Sequence, residues 1–265
     1  MVDGMEKTQR MPAVFVGHGN PMNAIVDSVY TEAWTSLGMS LPEPKAILCV
    51  SAHWETRGSQ VTAMQMPRTI HDFGGFPREL FEVSYSAPGD PALAERVKEL
   101  LSPAPVSLDM SWGLDHGAWA VLCRIFPAAT IPVVQLSLDI GLTPQGHFDL
   151  AKRLSPLRDE GVLILGSGNL VHNLRAYSWN GSVKGAYPWA ESFEALAKSL
   201  MISGEFQPLI EYQRLGEEAA LAINSAEHYL PLLYVLAQRA EGEQVSFPVS
   251  GFDGGSISML SVQCT

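Results

Sequence analysis

The chain has 265 residues, of which 46% are hydrophobic and 17% charged, with a formal net charge of −11 at pH 7. One α/β domain of this size is common, and no composition break, charge run or repeat divides the chain, so we expect a single catalytic domain over residues 1–265. The net negative charge and the absence of a cluster of lysines and arginines that could neutralise phosphates exclude a nucleic-acid partner. No apolar run approaches the roughly 18–20 residues of a membrane span, so a membrane partner is not expected.

The N-terminal segment is polar and has no apolar core, unlike a signal peptide. The cysteines, Cys49, Cys123 and Cys264, are odd in number and far apart. The first lies in a strand pattern and the second in a helix pattern, as small core residues do. This usage fits a reducing compartment, so we expect a cytoplasmic protein. Residues 11–263 are expected to form the ordered core, and residues 1–10 are expected to be flexible.

The first half of the chain alternates strand and helix patterns. Continuous apolar runs at 13–17 and 46–54 are typical of strands buried on both faces. His18 follows the first run, and His53 lies near the end of the second. Further elements are predicted as a helix over 24–37, a strand over 60–64, a helix over 91–101 and an edge strand over 106–108.

The second half continues the alternation. The buried run 162–166 predicts another central strand, and His172 follows it after a glycine-rich turn. His228 precedes a helix pattern with Pro231 in its first turn. The other elements are predicted as helices up to 125, over 146–158, 188–202 and 205–223, and strands over 131–137, 245–249 and 256–262.

Strands that alternate with helices indicate the α/β class. Some connections are too short for crossovers, so we expect a central mixed, largely parallel sheet flanked by helices. Ligands of open α/β sheets bind at the carboxyl ends of the strands. His18, His53 and His172 are therefore predicted to converge on one site, with His228 at the amino end of its helix beside them.

The set of histidines points to a metal more strongly than any one of them. Neutral imidazoles at strand ends suit Zn or Fe(II), whereas Mg or Ca would prefer carboxylates. No HExxH, CxxC or EF-hand pattern is present, so spacing alone leaves the metal open.

The remaining histidines allow two interpretations each. His116 could give a proton or hydrogen bond to a substrate, or be a loop residue tied to backbone. His71 allows the same two interpretations, because it lies in an aromatic loop that could cover a site. His147 is interpreted as a surface or structural residue. Ser167 lacks the G-x-S-x-G context of a nucleophile elbow.

Several segments together resemble the DODA-type (4,5-DOPA extradiol dioxygenase-like) ring-cleavage dioxygenases of the LigB, class III superfamily. The resemblance covers nearly the whole chain, from about residue 11 to 263, in the same order. The segments are 15–22 (FVGHGNPM), 50–54 (VSAHW), 70–77 (IHDFGGFP), 112–119 (WGLDHGAW), 166–173 (GSGNLVHN), 227–234 (EHYLPLLY) and 255–262 (GSISMLSV).

The resemblance implies a LigB-like fold and a site in which His18, His53 and His228 hold one divalent metal ion. It implies that His172 is the acid/base residue, or a fourth ligand when the site holds zinc. It also implies that His116 is a second catalytic histidine, which hydrogen-bonds substrate or oxygen. A shell of histidines departs from the two-histidine, one-carboxylate triad of related oxygenases and suits zinc strongly.

The implied activity is extradiol cleavage of a catechol by O₂, such as 4,5-cleavage of L-DOPA to a seco-DOPA semialdehyde. The small aromatic diol and O₂ would be the partners. Fe(II) is expected for turnover and Zn(II) in purified protein. The chain is expected to be a monomer or a small homo-oligomer, and the sequence does not decide between them.

Two other classes of function stay open. The same histidines could form a zinc hydrolase, with Glu227 or Asp115 as the base, or a LigB-like binding protein without catalysis. Arg57, Arg78 and Arg175 are candidates to meet a substrate carboxylate. The candidates for an aromatic wall are Trp54, Phe73, Phe76, Trp112 and Tyr229.

Overall fold

The computed structural model describes residues 10–265. The expected flexibility of residues 1–10 therefore falls, apart from Arg10, outside the described residues. The strands are β1 Ala13–Gly17, β2 Ala46–Thr56, β3 Ser59–Thr62, β4 Val106–Asp109, β5 Val133–Asp139, β6 Val162–Gly168, β7 Val245–Val249, β8 Phe252–Asp253, β9 Ile257–Ser258 and β10 Ser261–Cys264. The helices are α1 Val29–Ser40, α2 Arg78–Phe81, α3 Pro91–Leu101, α4 His116–Ile125, α5 Pro144–Lys152, α6 Pro156–Asp159, α7 Pro188–Ser203, α8 Phe206–Ile210, α9 Glu217–Ala222 and α10 Leu230–Leu236.

Eight strands form one mixed sheet in the order β4-β3-β5-β2-β6-β1-β10-β7, and β8 pairs with β9 in a separate hairpin. The central pairs β5–β2, β2–β6 and β6–β1 are parallel. The pairs of β10 with β1 and β7 are antiparallel. The structure confirms a single α/β domain with a large mixed sheet flanked by helices, and β4 lies at the predicted edge.

Both faces of the sheet are covered, which explains the continuous apolar runs. Along β1, Ala13 and Phe15 point into one hydrophobic cluster with helices α3, α5, α7 and α10. Val14 and Val16 point into the other, with α1 and α4. Because each strand buries alternate residues on opposite faces, most side chains along the strands are apolar, and a polar one such as Gln135 in β5 has a hydrogen-bond partner there. At the carboxyl ends of the parallel strands, side chains leave the packed core and can line a site.

The predicted helix over 24–37 is wrong in its start. A 3-10 turn covers Pro21–Ala24, and α1 begins only at Val29. Ser28 caps α1, because its side chain accepts the Thr31 N–H and the Thr31 hydroxyl accepts the Ser28 N–H. The apolar residues of the intervening turn, Ile25 and Val26, are exposed.

Three other predicted elements are divided by local breakers. The helix over 146–158 is split into α5 and α6, because Pro156 can only begin a helical turn. The helix over 205–223 is split around Gly216, whose φ is +92°. The strand over 256–262 is two strands, β9 and β10, in different sheets. Helix α3 begins as predicted, with the Asp90 side chain accepting the Leu93 N–H.

No helix within residues 10–265 is both long enough and apolar enough to cross a lipid bilayer.

Candidate active site

Five histidines reach one cavity from five places in the chain. His18 directly follows β1, His116 is the first residue of α4, and His228 precedes α10 by two residues. His172 lies four residues beyond β6. His53 lies within β2, where the register to β5 shifts between Val50 and Glu55. Extra residues in one strand bend it locally, which turns the His53 side chain out of the sheet.

Glycine makes the closest approaches at this edge possible. The Asn169 N–H donates to the His228 carbonyl at 2.8 Å, so the end of β6 lies against the turn before α10. A Cβ atom on Gly168 would collide with that same His228 carbonyl. A Cβ atom on Gly117 would collide with the Ser51 hydroxyl and lie 2.8 Å from Cδ2 of His53. These positions accept no side chain without moving a histidine.

The rings lie close enough to share a ligand. Nε2 of His18 and Nε2 of His53 are 3.3 Å apart. The ring centroids of His53 and His116 are 3.9 Å apart, and His172 and His228 are stacked at 3.6 Å. The rings of His18 and His228 are 5.2 Å apart, so the stacked pair borders the other three. The structure thus brings together every histidine predicted for the site.

In the part of the chain that the structure describes, two sets of three side chains could each hold a metal ion, with ligand atoms within 4.8 Å of one another. One set is His18, His53 and His116, and the other is His172, His228 and Glu227. The resemblance implies a different division, with His228 beside His18 and His53. The Glu227 carboxylate, considered above only as a hydrolase base, is therefore a potential ligand by geometry.

Carboxylates and a hydroxyl hold the Nδ1 side of three rings. Nδ1 of His116 donates to Asp72 Oδ2 at 2.9 Å, and the His116 N–H donates to Asp72 Oδ1 at 2.9 Å. Nδ1 of His18 is 3.0 Å from the Ser167 hydroxyl, and Nδ1 of His228 is 3.1 Å from Glu227 Oε1. Such partners fix ring orientation and leave Nε2 free to act in the cavity. The Ser167 hydroxyl donates to the Gly117 carbonyl, is fully buried and does not line the cavity, so it serves as a partner of His18 and is not placed as a nucleophile.

Burial keeps several of these rings neutral. Desolvation, followed by the charge of neighbouring histidines, lowers the pKa of His18 and His53 well below 6.5. The same causes lower the pKa of His172 to about 3. A neutral imidazole carries a free lone pair, which is the form that binds Zn or Fe(II). A cluster of imidazoles in which His18, His53 and His172 are kept neutral by burial is a donor set that fits a divalent metal ion.

The nearby carboxyl groups differ in state. Burial raises the pKa of Asp72, but its hydrogen bonds from His116 outweigh this and leave the pKa below 3.8. Burial also raises the pKa of Glu227, but hydrogen bonds from His228 and Ser225 outweigh this effect and lower the pKa to about 2. Burial raises the pKa of Asp115, which is fully enclosed and bonded to the side chains of Ser51 and Gln135. Asp115 is therefore inaccessible as a hydrolytic base.

The cavity has a volume of about 480 Å³, which is in the range of small-molecule sites. Phe73 and Phe76 line it, as the sequence predicted. Sequence reasoning missed the opposite wall, which comes from the loop after His172 and the β8–β9 hairpin. The missed lining residues are Asn20, Leu174, Tyr177, Trp179, Asp253 and Ile257.

Other predicted residues lie elsewhere. Trp54 and Trp112 stack on each other with centroids 5.6 Å apart and do not line the cavity. Tyr229 is buried, and its hydroxyl donates to the Leu209 carbonyl. The three arginine candidates, Arg57, Arg78 and Arg175, are also absent from the cavity lining. Aromatic content alone did not distinguish core residues from site residues.

The two remaining histidines are structural. His147 is only 1% exposed, and its Nδ1 is 3.0 Å from the Tyr234 hydroxyl, so the structural interpretation is confirmed and the surface one is wrong. Nε2 of His71 is 3.0 Å from the Val83 carbonyl, which ties down the start of the aromatic loop. That loop carries Phe73 and Phe76 into the cavity wall.

Comparison with known proteins decides the family. Residues 12–252 match the family described as the catalytic LigB subunit of aromatic ring-opening dioxygenase. The chain belongs to this LigB family. It is 52% identical to a protein of Escherichia coli (strain K12) named 4,5-DOPA dioxygenase extradiol, over 98% of this chain and 97% of that protein. It is 38% identical to a Beta vulgaris protein of the same name, over 95% of each chain.

A solved structure agrees with the fold. A crystal structure of an uncharacterized protein from E. coli K12 is 47% identical and has a TM-score of 0.85, covering 97% of this chain and all of that one. As a LigB protein, the chain is an extradiol aromatic ring-opening dioxygenase. LigB dioxygenases use a metal, and the histidine cluster could hold one. The comparisons favour neither the zinc hydrolase nor the non-catalytic binding protein.

Proposed function

We propose that the protein cleaves a catechol such as L-DOPA outside the diol, at the 4,5-bond, and produces a seco-DOPA semialdehyde. The observation that carries this proposal is the convergence of five histidines on one aromatic-walled cavity. Similarity to relatives named for 4,5-DOPA supports the choice of substrate. O₂ is the second substrate, and both of its oxygen atoms enter the product.

We assign one divalent metal ion to His18, His53 and His228, with His172 as a fourth ligand when the ion is zinc. We expect Fe(II) during turnover and Zn(II) in purified protein, because a histidine shell has high affinity for ions late in the divalent series. When bound, the ion would supply Lewis acidity toward the catechol oxygens and, as iron, electrons for O₂.

His172 is assigned as the general base. An imidazole can accept the proton of a catechol hydroxyl whose acidity a bound metal ion would raise, and later return it to the leaving oxygen. It stacks on His228, which places it beside one of the assigned ligands. An imidazole in this position is within the same cavity as the ring to be cleaved.

His116 is assigned as the second catalytic histidine. Its Nδ1 proton is held by Asp72, so Nε2 carries the lone pair and faces the remaining space of the site. From there Nε2 can accept the hydrogen bond of a substrate hydroxyl and, once it holds that proton, donate to oxygen. Phe73 and Phe76 exclude water on this side and orient the aromatic ring.

The test measures oxygen uptake with L-DOPA and simple catechols, using metal-free protein reloaded anaerobically with Fe(II) or Zn(II). We expect uptake and a yellow semialdehyde only with iron. His172→Ala should bind metal yet lose ring cleavage, whereas the matched control His147→Gln, remote from the cavity, should keep both. Absence of uptake with either metal across the catechols would overturn the proposal, and anaerobic ester hydrolysis with zinc would favour a hydrolase.

We also propose that the whole chain acts as one catalytic domain in the cytoplasm, as a monomer or a small homo-oligomer. The three cysteines are free thiols, and Cys49 and Cys264 are buried, which suits a reducing compartment. Light scattering of the purified protein would determine the oligomeric state.

A further inference from the structure

The charge of the cavity wall is one-sided. Among the lining residues within 10–265, Asp253 is the one carboxylate, and none is a lysine or arginine. The other ionisable groups there are the five histidines and Tyr177. The side chain of a bound substrate that extends away from the histidines therefore meets a negative group and no positive one among these residues. This asymmetry favours cationic substituents and disfavours anionic ones.

We propose that Asp253 binds the ammonium group of the substrate side chain, so that the enzyme selects catechols that carry a protonated amine. This inference rests on the proposed function and adds its specificity-determining residue. In L-DOPA, the amine and not the carboxylate would be recognised by the protein.

The Asp253 carboxylate is oriented but not neutralised. Its Oδ1 accepts the Tyr177 hydroxyl at 3.0 Å. Burial, followed by the charge of Asp253, raises the pKa of Tyr177 to about 12, so the phenol stays protonated and remains a donor. Within residues 10–265, Oδ2 has no hydrogen-bond donor and no lysine or arginine forms a salt bridge with the group. One oxygen is thus free to accept from an ammonium.

The hairpin that carries Asp253 is fixed by its neighbours. The Tyr30 hydroxyl donates to the Phe252 carbonyl at 3.0 Å, and the Ser178 N–H donates to the Gly254 carbonyl at 2.9 Å. The ring of Tyr177 packs directly on Gly254, whose φ of +54° also favours glycine. The carboxylate therefore lies on an ordered backbone, as a recognition group requires.

The hairpin also sets the distance to the reacting centre. Asp253 pairs with Ile257 across the hairpin, and Ile257 pairs with His172 in an isolated bridge. Neighbouring strands lie about 4.8 Å apart, so the backbones of Asp253 and His172 are separated by about 10 Å. A catechol ring beside His172 with a two-carbon aminoethyl chain can span this interval.

Aromatic faces surround the same region. Tyr177 and Trp179 lie with their ring centroids 4.6 Å apart, and both line the cavity. An ammonium near aromatic faces gains a further attraction from their negative π clouds. A carboxylate at the same place would meet Asp253 and no cation, so that of L-DOPA should point toward solvent.

The kinetic test compares three catechols of similar length: dopamine, which is cationic, neutral 4-ethylcatechol, and anionic 3-(3,4-dihydroxyphenyl)propionate. For iron-loaded wild type we expect kcat/KM for dopamine to exceed that for 4-ethylcatechol by about tenfold or more, as for a charge-assisted hydrogen bond. In Asp253→Asn this ratio should collapse toward one, mainly through KM. The control Asp149→Asn, which removes the same charge from the exposed face of α5, should keep the wild-type ratio.

Binding of uncleavable phenols separates the two proposals. Tyramine, 4-ethylphenol and 3-(4-hydroxyphenyl)propionate are titrated under nitrogen into purified protein without added iron, by calorimetry. We expect tyramine to bind most tightly and Asp253→Asn to remove that preference. If no catechol is cleaved but tyramine is preferred, the ring-cleavage proposal fails and the role of Asp253 stands. Equal binding of tyramine and 4-ethylphenol, or an unchanged preference in Asp253→Asn, would overturn it.

Discussion

Asp72 links two of the five histidines, although its place in an aromatic loop gave no sign of this. Both of its oxygens accept hydrogen bonds from His116, one from the backbone N–H and one from Nδ1. Oδ2 also lies 3.7 Å from Nδ1 of His53. A carboxylate only accepts hydrogen bonds, so Asp72 selects the tautomer of His116 that carries its proton on Nδ1. The aromatic loop thus orients histidines of the cavity as well as lining it.

Asp72→Asn should lower kcat by about 10- to 100-fold, the usual cost of losing an outer partner of a site histidine. The amide can present its NH₂ group where Nδ1 of His116 needs an acceptor, which releases the ring from its tautomer. Steady-state oxygen uptake with matched metal content measures the effect. The control is Glu82→Gln, which changes an exposed residue directly after α2 and should behave as wild type. A loss of less than twofold in Asp72→Asn would contradict the positioning role.

His18, His53 and His172 could be predicted from sequence because each ends or follows a buried strand run. His116 had two interpretations from the residues alone and was included only through the resemblance. Tyr177 and Asp253 could not be predicted as site residues. They meet only because the loop after His172 packs on the β8–β9 hairpin, whose strands have two residues each. Trp54 and Tyr229 were candidates for the cavity wall, and the structure places both in the core. A large aromatic residue fills a core as readily as a site, and composition does not separate these uses.

At the scale of elements, the contact of β6 with the turn before α10 determines where His228 lies. Gly168→Ala places a Cβ on the His228 carbonyl and forces that turn away. We expect a loss of about 1–3 kcal/mol in the free energy of unfolding, together with weaker metal binding. Urea unfolding and metal titration measure the two effects. At Gly146 the nearest atoms to a new Cβ are 3.3–3.5 Å away, so Gly146→Ala in α5 should be neutral or stabilising. Equal behaviour of the two variants would refute the argument.

The contact of α5 with α10 contains a buried histidine outside the cavity, His147, bonded to Tyr234. Burial lowers the pKa of His147 to about 4, whereas the unfolded chain binds that proton near pH 6.5. Between these values the unfolded state holds more protons, so the free energy of unfolding decreases as pH falls, by up to about 1.4 kcal/mol per pH unit. Above about pH 6.5 this contribution is complete.

His147→Gln should therefore flatten the pH dependence of stability between pH 6.5 and 5.0, whatever its effect on stability at pH 7. Urea unfolding of metal-free protein at pH 5.0, 5.75 and 6.5 gives the slopes for wild type and variant. Below about pH 4.5 the carboxylates Asp72 and Glu227, whose pKa values are lowered, begin to cost stability as well, so the comparison stays above that range. Parallel slopes for the two proteins would show that His147 does not titrate as described.

Element boundaries show where sequence reasoning ends. Helix α3 was predicted at both ends, since Asp90 and Pro91 mark its start by local chemistry. Helix α1 was predicted too early, because Ile25 continues the apolar pattern although Ser28 is the actual cap. Propensity and periodicity describe local preference, whereas tertiary packing decides which of two nearby starts is used.

At the scale of the molecule, the site requires most of the chain. Its histidines lie between positions 18 and 228 and are supported by β1, β2, β6, α4 and α10. None of these elements holds more than one of the five rings. A ligand shared by these rings therefore stabilises the central sheet as a whole, and the unfolded chain cannot present the same arrangement.

Zn(II) should accordingly raise the unfolding midpoint of metal-free protein at pH 7.5, and chelation should reverse the shift. At an ion concentration 100 times Kd the gain is about 2.7 kcal/mol, because the ion binds the folded state preferentially. His53→Ala, which removes a central ring, should lose most of the shift. His147→Gln, which removes a histidine outside the cavity, should show the full shift from its own lower starting midpoint. An equal shift in both variants would mean that the ion binds elsewhere, and the cavity histidines would then lose their assignment as the metal site.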